Sequence, residues 1–405
     1  MEKPLSGIKV LDLTTFVAAP VCCRLMADLG ADVIKVERPD GDTWRVTGKN
    51  YNPSRFSDEE NPVFDIYNSG KRHIALNLKD PDGMAIFKKL LAQADVFITN
   101  TRPAALHRLG IAYEDLKEEF PALIYGIVEG YGEKGPAKDD PAFDTTAFWS
   151  RSGFLRDMAP DGEHYYPVLP PYGVGDTVTG YLLLSQVLAA LLRRNNTGKG
   201  DFVCSSLYHN GIFTMGTMQI ISQAPWGRTW PTTRIAYGIP GGTYRCADGE
   251  YIYVSISYAE KKLLPLLYKM IGREDLLTNP KFCDGPTGRK HPEEYYEIFR
   301  EAFLTMPSTH WLELARQHDM PIVPMNHFKD VTQDPQAWAN DYLEYMHYPN
   351  GNVDIMPRSP IEMASMGPID TKAAPGIGAH TDQVLTDLGY SAEEIARMKS
   401  TGAIK

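Results

Sequence analysis

An α/β domain built on a parallel sheet, accompanied by a smaller α+β domain, is the architecture this sequence predicts. Three observations predict it. At 405 residues the chain is too long for one compact core. Its first hundred residues alternate short β-branched runs with apolar residues at helical spacing. From about residue 225 to residue 330 the texture changes to hairpin signals followed by helices.

The run Ile8 to Leu13 reads as a strand, and Val21, Leu25, Met26 and Leu29 follow on one helical face. Gly30 ends that helix and Asp32-Val33-Ile34-Lys35-Val36 resumes a strand, a βαβ unit. Phe87, Leu90, Leu91 and Ala94 mark a further helical face. Asp95 to Thr99 and Leu123 to Val128 then read as strands. Strands alternating with helices imply a parallel sheet covered on both faces, a large Rossmann-like domain over residues 1–224.

In the segment 225–330, Thr243 to Cys246 and Tyr251 to Ile256 flank Asp248-Gly249, a hairpin signal. Helical stretches follow at Lys261 to Ile271 and Glu293 to Leu304. This is the smaller α+β domain. Residues 331–405 return to helix and turn and rejoin the large domain; Ser391-Ala392-Glu393-Glu394 carries a capping pattern ahead of Ile395 and Met398.

Composition narrows the function classes. The chain is 43% hydrophobic and 23% charged, and its net charge of -10 argues against general affinity for nucleic acid or an anionic membrane. No long apolar leader precedes Ile8, and the apolar stretch Leu182 to Leu192 falls short of the ~20 residues that span a bilayer. A cytoplasmic protein without a membrane role is expected. The five cysteines form no CxxC pair, so neither a disulfide framework nor a metal site is expected. GxSxG, P-loop and HExxH motifs are absent. Gly173-x-Gly175 and Gly376-x-Gly378 each lack the third glycine of a dinucleotide fingerprint.

Asp176, between a glycine-rich turn and the apolar helix, admits two readings. It is placed as an N-cap. The same position would also suit an accessible carboxylate nucleophile near the positive end of a helix. Spacing alone does not choose. Arg38 follows the second strand, at the edge where open α/β sheets bind ligands. Lys71, Arg72 and Arg108 are basic residues on connections, and Asn100 follows a strand end as a cap or ligand contact. Gly130-Tyr131-Gly132-Glu133-Lys134-Gly135-Pro136 is a flexible loop, and His380 a candidate base.

These pieces, in order, resemble the class III (family III) CoA-transferases along nearly the whole chain. They begin at Pro4-Leu5-x-Gly7-Ile8-x-Val10-Leu11-Asp12-Leu13-Thr14 and Ala18-x-Pro20, and continue through Leu29 to Glu37. Asn68-x-x-Lys71-Arg72, Ala94-Asp95-Val96, Gly130-Tyr131-Gly132 and Gly173-x-Gly175-Asp176 follow. Thr197-Gly198-Lys199-Gly200 and Gly378-x-His380-Thr381 complete the series.

The resemblance implies that Asp176 attacks an acyl-CoA thioester to give an acyl-aspartyl anhydride. It implies CoA contacts at Val17, Ala18, Arg38, Lys71, Arg72, Leu76, Asn100, Arg108 and Phe143. CoA is then a substrate, with no tightly bound cofactor, and the protein an interlocked homodimer. Pro240-Gly241-Gly242 is a candidate shield for the anhydride. Val17 stands where formyl-CoA transferases carry glutamine. Phe143 stands where a tyrosine is common, and where the α-methylacyl-CoA racemases of this fold need a histidine. Gly132 to Pro136, Phe143 to Phe148 and Gln336 to Leu343 resemble the (R)-2-hydroxyacid branch, which activates phenyllactate or 2-hydroxyisocaproate in amino-acid fermentation. A racemase and a catalytically silent CoA-binding subunit are the competing readings.

Overall fold

The computed structural model describes residues 3–55, 57, 59–158, 170–230, 235, 239–257 and 259–405. The chain divides into two compact units. One comprises Met1–Phe154, Leu169–Ile220 and Asp334–Lys405; the other comprises Leu155–Val168 and Ile221–Gln333.

The first unit is built on six parallel strands: β1 Lys9–Leu13, β2 Asp32–Glu37, β3 Arg72–Ala75, β4 Val96–Thr99, β5 Ile124–Glu129 and β6 Asp201–Ser206. Their order is β3-β2-β1-β4-β5-β6. The chain runs outward from β1 to β3 and then crosses back to β4. The topological switch therefore lies between β1 and β4, where open α/β sheets bind ligands at the carboxyl ends of their strands.

The central strands carry mostly apolar side chains on both faces because both faces are covered. On one face Leu11, Phe97 and Tyr125 pack with Phe87 and with Leu385 and Met398 of the C-terminal helices. Their alternate neighbours Val10, Val96, Ile98 and Ile124 pack on the other face against Cys22, Met26, Leu183 and Val187. This alternation is the pleat. The second face is covered by helices Ala18–Asp28 and Val174–Thr197. The latter has the length and apolar character of a membrane span, yet its Leu183, Val187, Ala190 and Leu191 are buried in this core.

The second unit carries a three-stranded antiparallel sheet, β7 Gly242–Arg245, β8 Tyr251–Val254 and β9 Ile322–Pro324. Helices Glu260–Met270, Pro292–Phe303 and Ser308–Gln317 bury Tyr268, Tyr295, Phe299, Phe303 and Trp311 with Tyr244.

In the tail, β10 Leu343–His347 and β11 Val353–Pro357 form an antiparallel hairpin, where only helix and turn were expected. The turn signal was present in Asn350-Gly351, and Gly351 adopts φ 87°, which favours glycine.

Candidate active site

The helix Val174–Thr197 starts after Gly173, whose left-handed backbone (φ 77°) makes it the N-cap. Asp176 is therefore at N3, in the first turn, and the N-cap reading of Asp176 is not what the fold adopts. The Asp176 carboxylate is half-buried and, among the described residues, makes no hydrogen bond. Burial first, and the Asp144 carboxylate second, push its pKa up to about 7.

Asp144 opens the π-helical stretch Asp144–Ser150 and is 7% exposed. Its Oδ2 accepts the Gly173 N–H at 3.0 Å, whereas Oδ1 has no hydrogen-bond partner. Burial raises its pKa, offset in part by the Gly173 amide first, then by the Trp149 indole and the Asp176 and Gly175 amides of the helix start. A side chain at position 175 would place its Cβ 2.3 Å from Asp144 Oδ1 and 2.3 Å from the Phe148 ring. Gly175→Ala is expected to cost about 1–3 kcal/mol through this overpacking. Thermal melting and steady-state rates of the variant should fall together.

Asp176 faces a cavity of about 970 Å³ at the switch point. Its lining comes from the segment after β1 (Thr15 to Ala18), the segment after β4 (Asn100 to Ala104), and the end of β5 at Glu129 and Gly130. Aromatic rings form one wall. Phe16 lies 6.1 Å from Trp44 and 6.0 Å, edge-on, from Phe143, and Trp44 lies 6.4 Å from Tyr67. Such a wall suits an apolar acyl side chain. Arg102 and Lys138 also line the cavity and supply positive charge. Burial and the Asp176 charge push the Tyr67 phenol up to about 12.

A buried charge network holds the β1 end of the cavity. Lys71 Nζ lies 2.8 Å from Asp12 Oδ2, and Lys35 Nζ lies 3.0 Å from Asp42 Oδ2, with all four side chains fully buried. Lys35 also donates to the Thr14 carbonyl at 2.7 Å, and the Thr14 N–H donates to Asp12 Oδ1 at 3.0 Å. Asn100 clamps the next residue, accepting the Thr15 N–H at 3.0 Å and donating to its carbonyl at 2.7 Å. Phe16 is thereby held at φ 64°, unusual for a non-glycine residue.

Of the residues singled out from sequence, Val17, Ala18, Asn100, Phe143 and Asp176 come together in this cavity. The others do not. Leu76 is 1% exposed, bridges Ile404 and belongs to the core, outside this cavity. Lys71 also lies outside the cavity, its ammonium shared among Asp12, the Pro20 carbonyl and Asn68. Arg72 pairs with Asp32 near the amino end of β3, at the edge opposite the cavity. Arg38 is exposed and pairs with Asp40, and Arg108 is exposed on helix Pro103–Leu109. His380 accepts the His73 N–H through Nδ1 at 3.1 Å, a structural role outside the cavity. Phe16, Trp44, Tyr67, Arg102 and Lys138 were not singled out from sequence. They lie on separate segments that only the fold unites.

Comparison with known proteins places this geometry. The family model CoA-transferase family III matches residues 5–381. The chain is 38% identical over 403 residues to (R)-2-hydroxy-4-methylpentanoate CoA-transferase of Clostridioides difficile, covering 99% of each chain. It is 36% identical over 402 residues to cinnamoyl-CoA:phenyllactate CoA-transferase of Clostridium sporogenes, covering 97% of this chain and 95% of that one. Among solved structures, a CAIB/BAIF family protein from Brucella suis superimposes with a TM-score of 0.81 at 26% identity, over 96% of this chain and 100% of that one.

Proposed function

Because the chain belongs to CoA-transferase family III, we propose that it transfers CoA from an acyl-CoA to a 2-hydroxy acid with an apolar side chain, through an anhydride on Asp176. The observation that carries this reading is the half-buried Asp176 carboxylate, free of hydrogen bonds, in a cavity walled by aromatic rings. Two relatives named for acids of this class support it.

In the first step a carboxylate oxygen of Asp176 bonds to the thioester carbonyl, the C–S bond breaks and CoA leaves as thiolate. The acceptor carboxylate then attacks the Asp176 carbonyl of the anhydride, expelling the donor acid as its carboxylate. Finally the thiolate attacks the acceptor carbonyl, forming the new thioester and restoring Asp176. No net proton is consumed, so the chemistry needs no general acid or base. Val17, Ala18, Asn100 and Phe143 would contact the CoA–acyl junction, with Arg102 and Lys138 as phosphate partners. Among the described residues no histidine lines the cavity, so none of them is placed there as an imidazole base for proton abstraction at an α-carbon. Arg38 and Arg108 remain proposed contacts of the outer CoA moiety. We also propose a homodimer working in the cytoplasm.

A panel of acids offered against several acyl-CoA donors, with products read by mass spectrometry, tests the substrate class. Branched and aromatic 2-hydroxy acids should be the best acceptors; strong activity confined to unsubstituted fatty acids would sink the proposal.

The raised Asp176 sets a pH dependence. The carboxylate is the reactive form, so kcat/KM should rise with pH through about 7 and level off above it. Stability runs the other way. The folded pKa lies above the unfolded one, so the wild type loses stability as pH rises through about 7. Asp176→Asn should then be the more stable protein above pH 7, by on the order of 2 kcal/mol, and no different below about pH 4. Melting curves across this range check it.

A further inference from the structure

An acidic side chain at N3 of a helix ordinarily turns back to accept the N–H of the N-cap residue. Elsewhere in this chain that happens at three helix starts, whereas Glu294, at N3 of helix Pro292–Phe303, pairs with Lys281 and leaves the His291 N–H to the Gly288 carbonyl. Asp115 accepts the Ala112 N–H at 3.0 Å, Asp330 accepts the His327 N–H at 2.9 Å, and Glu394 accepts the Ser391 N–H at 2.7 Å. Asp176 holds the same position relative to Gly173 and does not make the bond.

The amide it forgoes is taken by Asp144, which reaches in from 29 residues earlier in the chain. Asp144 is more than nine-tenths buried. Its second oxygen, lacking a partner, lies against Gly175, where only the absence of a Cβ admits it. The arrangement is therefore built around a foreign carboxylate at the first turn of the helix. Other ionisable groups at this turn, among the described residues, include Tyr172, directly before Gly173, and Tyr67, from helix Pro62–Asn68, whose hydroxyl lies 3.4 Å from where a Gly173 Cβ would stand. The cavity's remaining ionisable groups include Glu129, Asp139, Asp140, Arg102 and Lys138.

We propose that Asp144 is the positioning residue of the site: by occupying the N-cap amide in place of Asp176, it keeps the Asp176 carboxylate unbonded, turned to the cavity and strongly nucleophilic. The proposal rests on the reading of Asp176 as the acyl carrier and explains how a helix-start aspartate escapes its ordinary capping role. A carboxylate held by a helix-end amide is stabilised as the anion and is a weaker nucleophile. A negative neighbour has the opposite effect. A nucleophile titrating near the working pH combines useful ionisation with high reactivity.

The test follows the titration of Asp176 itself. Carbodiimide coupling to an amine modifies protonated carboxyls, and peptide mass spectrometry reads the labelled fraction at Asp176 across pH. In Asp144→Asn the amide keeps an acceptor but the charge is gone, and the labelling midpoint should fall by about one pH unit. In Asp144→Ala, Asp176 is free to swing onto the Gly173 amide. The midpoint should fall further, and transfer should drop by at least about tenfold with the melting temperature of the folded protein as control. Should Asp144→Ala fail to accumulate as folded protein, wild type against Asp144→Asn decides alone. Coincident midpoints in wild type and Asp144→Asn would overturn the proposal, even if transfer fell, and would leave the anhydride reading standing. Retained transfer in Asp176→Ala would overturn the anhydride reading instead, whatever the midpoints show.

Discussion

Asp176→Ala is expected to lower CoA transfer by at least about 10³-fold. The variant keeps the cavity, its aromatic wall and its positive charges, because Asp176 makes no hydrogen bond that the fold depends on. Acyl-CoA should still bind, as followed by calorimetry, with the loss confined to turnover. Without the carboxylate the covalent carrier is lost, and the acceptor acid must attack the thioester directly. Asp176→Asn should fail equally, since an amide is shaped like the carboxylate but is a poor nucleophile. Activity near the wild-type rate in either variant would contradict the account.

Lys71→Met is expected to produce the largest loss of stability of any single change beside the site. It leaves the Asp12 carboxylate fully buried without its 2.8 Å partner, and stranding a buried charge costs about 3–5 kcal/mol. Lys35 also acts on Asp12 and softens the loss without replacing the bond. The melting temperature should drop by roughly 10 °C. Removing both charges, in Asp12→Leu with Lys71→Met, should recover part of that drop. Additive losses in the double variant would show that the pair does not act as a unit. Because Asp12 and Lys35 fasten Thr14, KM should rise in the folded fraction as the loop bearing Phe16 loosens.

Much of this architecture is written in local patterns. The strand expected at Asp95 to Thr99 forms as Val96–Thr99, and the one expected at Leu123 to Val128 forms as Ile124–Glu129. Helices expected at 261–271 and 293–304 form as Glu260–Met270 and Pro292–Phe303. These elements carry their signal in apolar periodicity within a few residues. The site is different. Lys71 looks like any basic residue on a connection until the fold brings Asp12 to it across 59 residues. The helix start at Gly173 carries no sequence mark of the side chain that caps it, because Asp144 comes from another segment. Phe16, Trp44, Tyr67 and Phe143 are scattered singly and become a wall only through the switch-point geometry. Asp176 was visible because its glycines and its helix are adjacent to it in sequence.

Heavy-oxygen transfer tests the central claim most directly. Turnover with an acceptor acid labelled in its carboxylate, followed by digestion and peptide mass spectrometry, reads where the label goes. If the acceptor passes through an anhydride on Asp176, the final attack of the thiolate on the acceptor carbonyl leaves one labelled oxygen on Asp176. The account predicts that label on the peptide carrying Gly173 to Asp176, and on no other carboxylate. Turnover that leaves Asp176 unlabelled, or that labels a different residue, would contradict it.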